Sequence, residues 1–157
     1  MEIKTGRQVI DIEIKALNLL KNYISKDFVK VVNLLLKNKG KIIVSGIGKS
    51  GHIASKIAST LSSVGSPSFY IHPSEANHGD LGMLEKKDVV ILISNSGETS
   101  ELINLILYCK KLGIPIISIT SELNSTLSRE SNLNLLIPKN IEACPLELAP
   151  TSSTTCT

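Results

Sequence analysis

Before Gly40, apolar positions recur at the spacing of amphipathic helices. Residues from about Arg7 to Tyr23 place Val9, Ile10, Ile14, Leu17 and Leu20 near one face. Asp27 to Lys37 repeats the pattern with Phe28, Val31, Val32, Leu35 and Leu36, and Gly40 predicts a C-cap. These two helices precede the first strand; packing and a subunit interface are the roles expected of them, away from the glycine loops that follow. From Lys41 the pattern changes to short apolar runs alternating with helical periodicity. Strands are predicted at Ile42 to Ser45, Pro67 to His72, Asp88 to Ser94, Ile114 to Thr120 and Leu133 to Ile137, and helices over Ser50 to Val64, Ser100 to Leu112 and Ser125 to Arg129.

Four of the strand runs are almost wholly apolar rather than alternating, as strands buried on both faces must be. The βαβ rhythm then predicts an α/β fold: a doubly wound, mainly five-stranded parallel sheet flanked by helices, preceded by the two N-terminal helices. Residues 1–39 would be those helices and residues 40–157 the α/β core of a single domain. Pro150 followed by Thr and Ser residues predicts the capped start of another helix, and the chain stops there, so the core is expected to be C-terminally truncated.

Composition narrows the function classes. A chain of 157 residues suits one domain with a real core. Charged residues make up 20%, the formal net charge is +3, and no block of five or six basic residues occurs, so neither nucleic acid nor a membrane surface is implied as a partner. The N-terminus MEIKTGRQVID lacks the apolar core of a signal peptide and no run of 18 apolar residues occurs, from which a cytoplasmic location is expected. Cys109, Cys144 and Cys156 are odd in number and lack CxxC spacing, supporting neither a disulfide framework nor a zinc ribbon.

The chemistry gathers in two stretches that each follow a predicted strand. KIIVSGIGKSG runs from Lys41 to Gly51, and VVILISNSGET from Val89 to Thr99. An apolar run, a Ser/Gly turn and a helix start present N–H groups to an anion, outside the carboxyl ends of the strands where such sheets bind ligands. Gly46-Ile-Gly48-Lys49-Ser50-Gly51 fits the dinucleotide fingerprint, but FYIH ends in His72 where a ribose-binding acid belongs, and Ile43 stands where Walker A needs a glycine. Ser94, Ser96 and Thr99 bring three hydroxyl donors to one helix start, which suits a phosphate monoester. His72, His78 and Asp80 share a long polar loop without the i, i+4 pair of a helical metal site; no metal is expected, and His78 is read as a proton carrier. Glu101 suits a helix N-terminus whatever the chemistry. Glu142 follows a strand in a Cys/Pro-containing loop at the same edge, and Lys49 is the one cation inside a glycine loop.

GIGKSGHIASKIASTL, HPSEANHGDLGM, DVVILISNSGETSEL and EACPLELAPTSSTT, in this order from Gly46 onward, resemble the sugar isomerase (SIS) domain family, and more closely its bacterial arabinose 5-phosphate isomerases. The resemblance implies a homotetramer with sites shared between subunits. It also implies interconversion of D-arabinose 5-phosphate and D-ribulose 5-phosphate through a cis-enediol, without a cofactor, feeding 3-deoxy-D-manno-octulosonate (Kdo) into lipopolysaccharide or capsule. Under it, Ser45, Ser50, Ser94, Ser96 and Thr99 would hold the phosphate. Glu142, with Glu101 second, would be the base, Lys49 would offset enediolate charge, and His78 would assist ring opening or shuttle protons. Family members commonly continue past the TSST segment with a helix carrying a further histidine, and many add a pair of CBS domains, so an incomplete site is expected here. Two other readings keep parts of this picture: a sugar-phosphate-binding module without turnover, which needs the hydroxyl loop but no base, and a SIS isomerase of a hexose phosphate.

Overall fold

The computed structural model describes residues 1–139, 141–146 and 149–157. Strands β1 (Ile42–Gly46), β2 (Ser68–Tyr70), β3 (Val89–Ile93), β4 (Ile116–Thr120) and β5 (Leu133–Leu136) form one parallel sheet in the order β2-β1-β3-β4-β5. Strand order therefore reverses between β1 and β3. These two pair directly, from Ile42 opposite Val89 to Gly46 opposite Ile93, which sets the glycine loop and the hydroxyl loop side by side.

Helices α1 (Glu2–Leu20), α2 (Lys26–Lys37), α3 (Lys49–Ser63), α4 (Pro73–Ala76), α5 (Ile103–Leu112), α6 (Thr126–Glu130) and α7 (Ser152–Cys156) complete the described architecture. Successive strand residues point to opposite faces, and both faces are covered. Ile42, Val44, Val89, Ile91, Ile117 and Ile119 pack with α1, α2, α3 and α7; Ile43, Val90, Leu92 and Ile116 pack with α4, α5 and α6. This double burial is why the strands read as continuous apolar runs. Each such side chain contributes roughly 1.5–3 kcal/mol on leaving water. Among the described residues no helix is long and apolar enough to cross a membrane.

The N-terminal helices differ from expectation in their faces. Ala16 on α1 and Val31 on α2 are the residues that go inside, while Val9, Ile10, Ile14 and Leu17 on α1, and Phe28, Val32 and Leu36 on α2, keep much of their surface in solvent. α1 also begins at Glu2 rather than Arg7. Gly40 is not a C-cap: α2 ends at Asn38, whose Nδ2 donates to the carbonyls of Gly40 and Lys41 at 3.0 and 3.2 Å. The helix expected from Ser100 opens as a 3-10 turn, Ser100–Leu102, before α5. The polar loop after β2 holds α4 and a second 3-10 turn, Asp80–Met83.

At the amino edge of the sheet, away from both loops, Asp88 is fully buried. Its Oδ1 accepts the Lys41 N–H at 2.8 Å, its Oδ2 accepts the Glu85 N–H at 2.8 Å, and Lys41 Nζ lies 3.0 Å from Oδ2. One carboxylate thereby ties the entry into β1 to the turn before β3.

Candidate functional site

β1 ends at Gly46 and α3 starts at Lys49, with Gly48 as N-cap. The approach between them is close: a Cβ on Gly51 would lie 2.8 Å from the Gly46 carbonyl oxygen, and Tyr70 Oη donates to that same oxygen at 3.0 Å. Only a glycine at 51 lets the first turn of α3 settle there. Lys49 is exposed and Ser50 half-buried at this helix start. Ser45 corrects an expectation. It is fully buried and its Oγ donates to the Ile71 carbonyl at 2.7 Å, so its hydroxyl ties β1 to the segment after β2 instead of facing a ligand.

Ser94 corrects the same expectation: it is buried, and its hydroxyl holds the loop after β3 from inside instead of facing a ligand. Ser94 Oγ shares a 2.7 Å hydrogen bond with Thr99 Oγ1 and accepts the Gly97 N–H at 3.0 Å. Gly97 has φ +66°, and a Cβ there would fall 2.0 Å from Ser125 Oγ, so glycine is demanded by both conformation and space. The Asn95 carbonyl accepts from Ser121 N and Oγ at 3.1 and 2.9 Å and from Thr120 Oγ1 at 3.1 Å, pinning the loop to the end of β4. Ser96 stays exposed, its Oγ accepting only a 3.3 Å bond from Glu98 N among the described contacts. Glu98 accepts the Thr126 N–H at 2.7 Å; that bond and its side-chain counterpart hold its carboxyl below the ordinary value.

Beside this loop lies a cavity of about 260 Å³, lined by Asn95, Ser96, Ser121, Glu142, Ser153 and, from α1, Ala16, together with others. A second, of about 30 Å³, shares Asn95 and Ser153 and reaches Ser50, so the two glycine-bearing loops meet at one place. Glu142 is the carboxylate of the larger cavity from the predicted set. Its Oε2 accepts from Thr151 N at 2.6 Å, Thr151 Oγ1 at 2.7 Å and Ser153 N at 3.5 Å, at the start of α7. Burial by itself would raise its pKa; hydrogen bonds from Ser153 and Thr151 outweigh burial and hold it below 4.5. Two backbone N–H groups and one hydroxyl thus favour the charged form of Glu142.

Other predicted residues lie apart. Lys49, His78 and Glu101 are exposed and, like Thr99, line neither cavity; Glu101 accepts a 3.0 Å bond from Ser100 Oγ. His72 caps α4, its Nδ1 accepting the Ser74 N–H at 3.2 Å, and among the described residues no three of His, Cys, Asp and Glu gather to hold a metal. Of the segment from Glu142 to Thr155, Glu147 and Leu148 lie outside the described residues. Sequence reasoning missed Asn95, Ser121, Ser153 and the Glu122–Lys139 ion pair, all on the cavity wall. Ser121 and Glu122 directly follow β4, so the carboxyl-edge rule would have found them. Sequence reasoning also kept the N-terminal helices away from the site, whereas α1 supplies part of the wall.

Residues 35–157 match the SIS domain family. The arabinose 5-phosphate isomerase KdsD of Pseudomonas aeruginosa is 50% identical over 155 residues, which are 99% of this chain and 48% of that protein. Its namesake in Francisella tularensis is 49% identical over 99% of this chain and 48% of its own length. The chain thus spans about half the length of the curated relatives it matches. Among solved structures, the E. coli CFT073 protein c3406 in complex with arabinose 5-phosphate superposes with a TM-score of 0.93 at 42% identity, over 98% of this chain and 82% of that one. With the family match running through both loops, all five strands and every residue of the larger cavity but Ala16, the chain belongs to the SIS domain family.

Proposed function

We propose that this chain is the sugar-isomerase domain of an arabinose 5-phosphate isomerase, interconverting D-arabinose 5-phosphate and D-ribulose 5-phosphate. The observation that carries the reading is Glu142: a carboxylate held in its charged form on the wall of a cavity that Asn95 and Ser96 of the hydroxyl loop also line. The identity to relatives bearing that name, and to a protein bound to arabinose 5-phosphate, supports the choice of sugar.

In the reaction, Glu142 removes the proton from C2 of the open-chain aldose. The C–H electron pair forms the C1–C2 double bond as the carbonyl oxygen gains charge, and a proton returned to C1 yields the ketose. Ser50, Ser96 and Thr99 hold the phosphate, with buried Ser94 and Ser45 supporting the loops. Lys49 offsets charge on the enediolate, His78 shuttles protons between oxygens, and Glu101 stands as the alternative base. Lys49, His78 and Glu101 follow β1, β2 and β3 at the carboxyl edge, and their exposed side chains reach the substrate by turning toward the cavity or by acting on a neighbouring subunit. The exposed apolar faces of α1 and α2 support an assembly, read as a homotetramer. A cytoplasmic enzyme supplying the Kdo precursor for lipopolysaccharide or capsule follows from the same reading.

The test is NMR of arabinose 5-phosphate in D₂O with the purified chain. Exchange at C2 together with ribulose 5-phosphate formation is expected; binding with neither exchange nor product would leave a sugar-phosphate-binding module instead. Ser96→Ala is expected to raise KM for arabinose 5-phosphate roughly tenfold, the effect of losing one hydroxyl donor to a charged group. Steady-state kinetics checks this, and an unchanged KM would remove Ser96 from the phosphate site.

A further inference from the structure

The N-terminal helix lines the cavity at Ala16 and reaches α7 through one carboxylate. Glu13 lies on α1 at i, i+3 from Ala16, which lines the same cavity as Glu142. Glu13 Oε1 accepts a 3.2 Å bond from Ser152 Oγ in the first turn of α7, while Oε2 is buried with no hydrogen-bond partner among the described residues. Ser152 is itself buried, and its chain neighbours Thr151 and Ser153 supply the N–H groups that grip Glu142 Oε2. A bond from α1 therefore holds the residue that sits between the two donors of the site carboxylate.

Cys156 reports the same arrangement from the other end of α7. Burial raises its pKa, and the charges of Glu13 and then Glu142 raise it further, so both carboxylates flank this short helix. Packing alone accounts poorly for a glutamate here. A leucine or methionine would fill the space without leaving an oxygen buried and unpaired.

We propose that Glu13 is a positioning residue for Glu142: by anchoring Ser152 it sets the start of α7, and with it the direction from which the Thr151 and Ser153 N–H groups hold the site carboxylate. The kinetic consequence rests on the isomerase reading; the geometric one does not. Among the described residues, Glu122, Lys139 and Cys156 line the cavity with Glu142, and Glu13 on α1 acts with Glu142 on Cys156.

Glu13→Ala, Ser152→Ala and the double variant test this with two readouts. In turnover of arabinose 5-phosphate, each single variant lowers kcat about tenfold while KM stays within about threefold, as expected of a displaced catalytic group. The double variant is no slower than either single, because both break the same bond. Glu13→Gln keeps an acceptor oxygen for Ser152 and holds kcat within about threefold of the parent. Independently of turnover, ¹³C NMR titration of the Glu142 carboxyl moves upward toward 4.5 in both single variants as its N–H bonds loosen. A parent without isomerase activity would sink the isomerase reading, and the titration would then decide the positioning role by itself. An unmoved Glu142 titration in folded single variants overturns the proposal, as do kcat losses that simply add. Should Glu13→Ala fail to fold, Ser152→Ala and Glu13→Gln supply the same comparison.

Discussion

Glu142→Gln is expected to lower kcat by about two orders of magnitude or more, with KM for arabinose 5-phosphate changed only a few-fold. Glutamine matches the size of glutamate, and its amide oxygen accepts the same N–H groups of Thr151 and Ser153, so α7 should stay docked. What it cannot do is take a proton from carbon. Steady-state kinetics beside a far-UV circular dichroism spectrum separates the two effects, and survival of most of kcat would place the base elsewhere, Glu101 first. The pH dependence has a definite sign. The folded-state pKa of Glu142 is depressed from 4.5, so the stabilisation that Glu142 gives is fully present above pH 4.5 and is lost as pH falls through the lower folded value. The acidic limb of kcat/KM is expected below 4.5 for the same reason, and it should disappear from the residual activity of the glutamine variant.

The second large effect concerns stability. Asp88→Ala is expected to destabilise the chain by about 2–4 kcal/mol, or roughly 10 °C in Tm, measured by thermal or urea unfolding. The substitution removes the acceptor of two backbone N–H groups and the buried partner of Lys41 Nζ. Those groups are left without bonds at the place where β1 and β3 enter the sheet. Asp88→Asn should recover only part of the loss, since its amide must turn an NH₂ toward a donor. Because Asp88 sits at the amino edge and the cavity at the carboxyl edge, kcat per folded molecule should hold. A Tm within a degree or so of the parent would show that the carboxylate contributes little net stability.

The sheet was legible in the sequence because burial on both faces erases alternation. Ile42–Gly46, Val89–Ile93 and Ile116–Thr120 each have all five positions buried; Val89–Ile93 is apolar at every position and the other two at all but two. β2 was less plain: it pairs only with β1, over Ser68 to Tyr70, and the apolar character of Ile71 belongs to a core contact just past the strand. The helix faces of α1 and α2 misled for a different reason. Periodicity says which residues share a face, not whether a sheet covers it, and here the sheet takes Ala16 and Val31. Glu142 could be singled out because it follows a strand at the carboxyl edge. Glu13 could not, since an acid on an amphipathic helix looks like any solvated residue until α7 is folded against it. Ser45 shows the converse limit: a hydroxyl at a strand end has no visible address in sequence, and this one faces a carbonyl inside the sheet.

The outermost strands of the sheet are also its shortest, three residues in β2 and four in β5 against five in each inner strand. Few unpaired backbone groups are therefore offered along either margin, and a foreign strand adding there would gain only a small number of hydrogen bonds. Self-association of this chain is then steered away from ribbon-like stacking and toward its helical surfaces, where contact depends on side-chain shape and so can be selective about its partner.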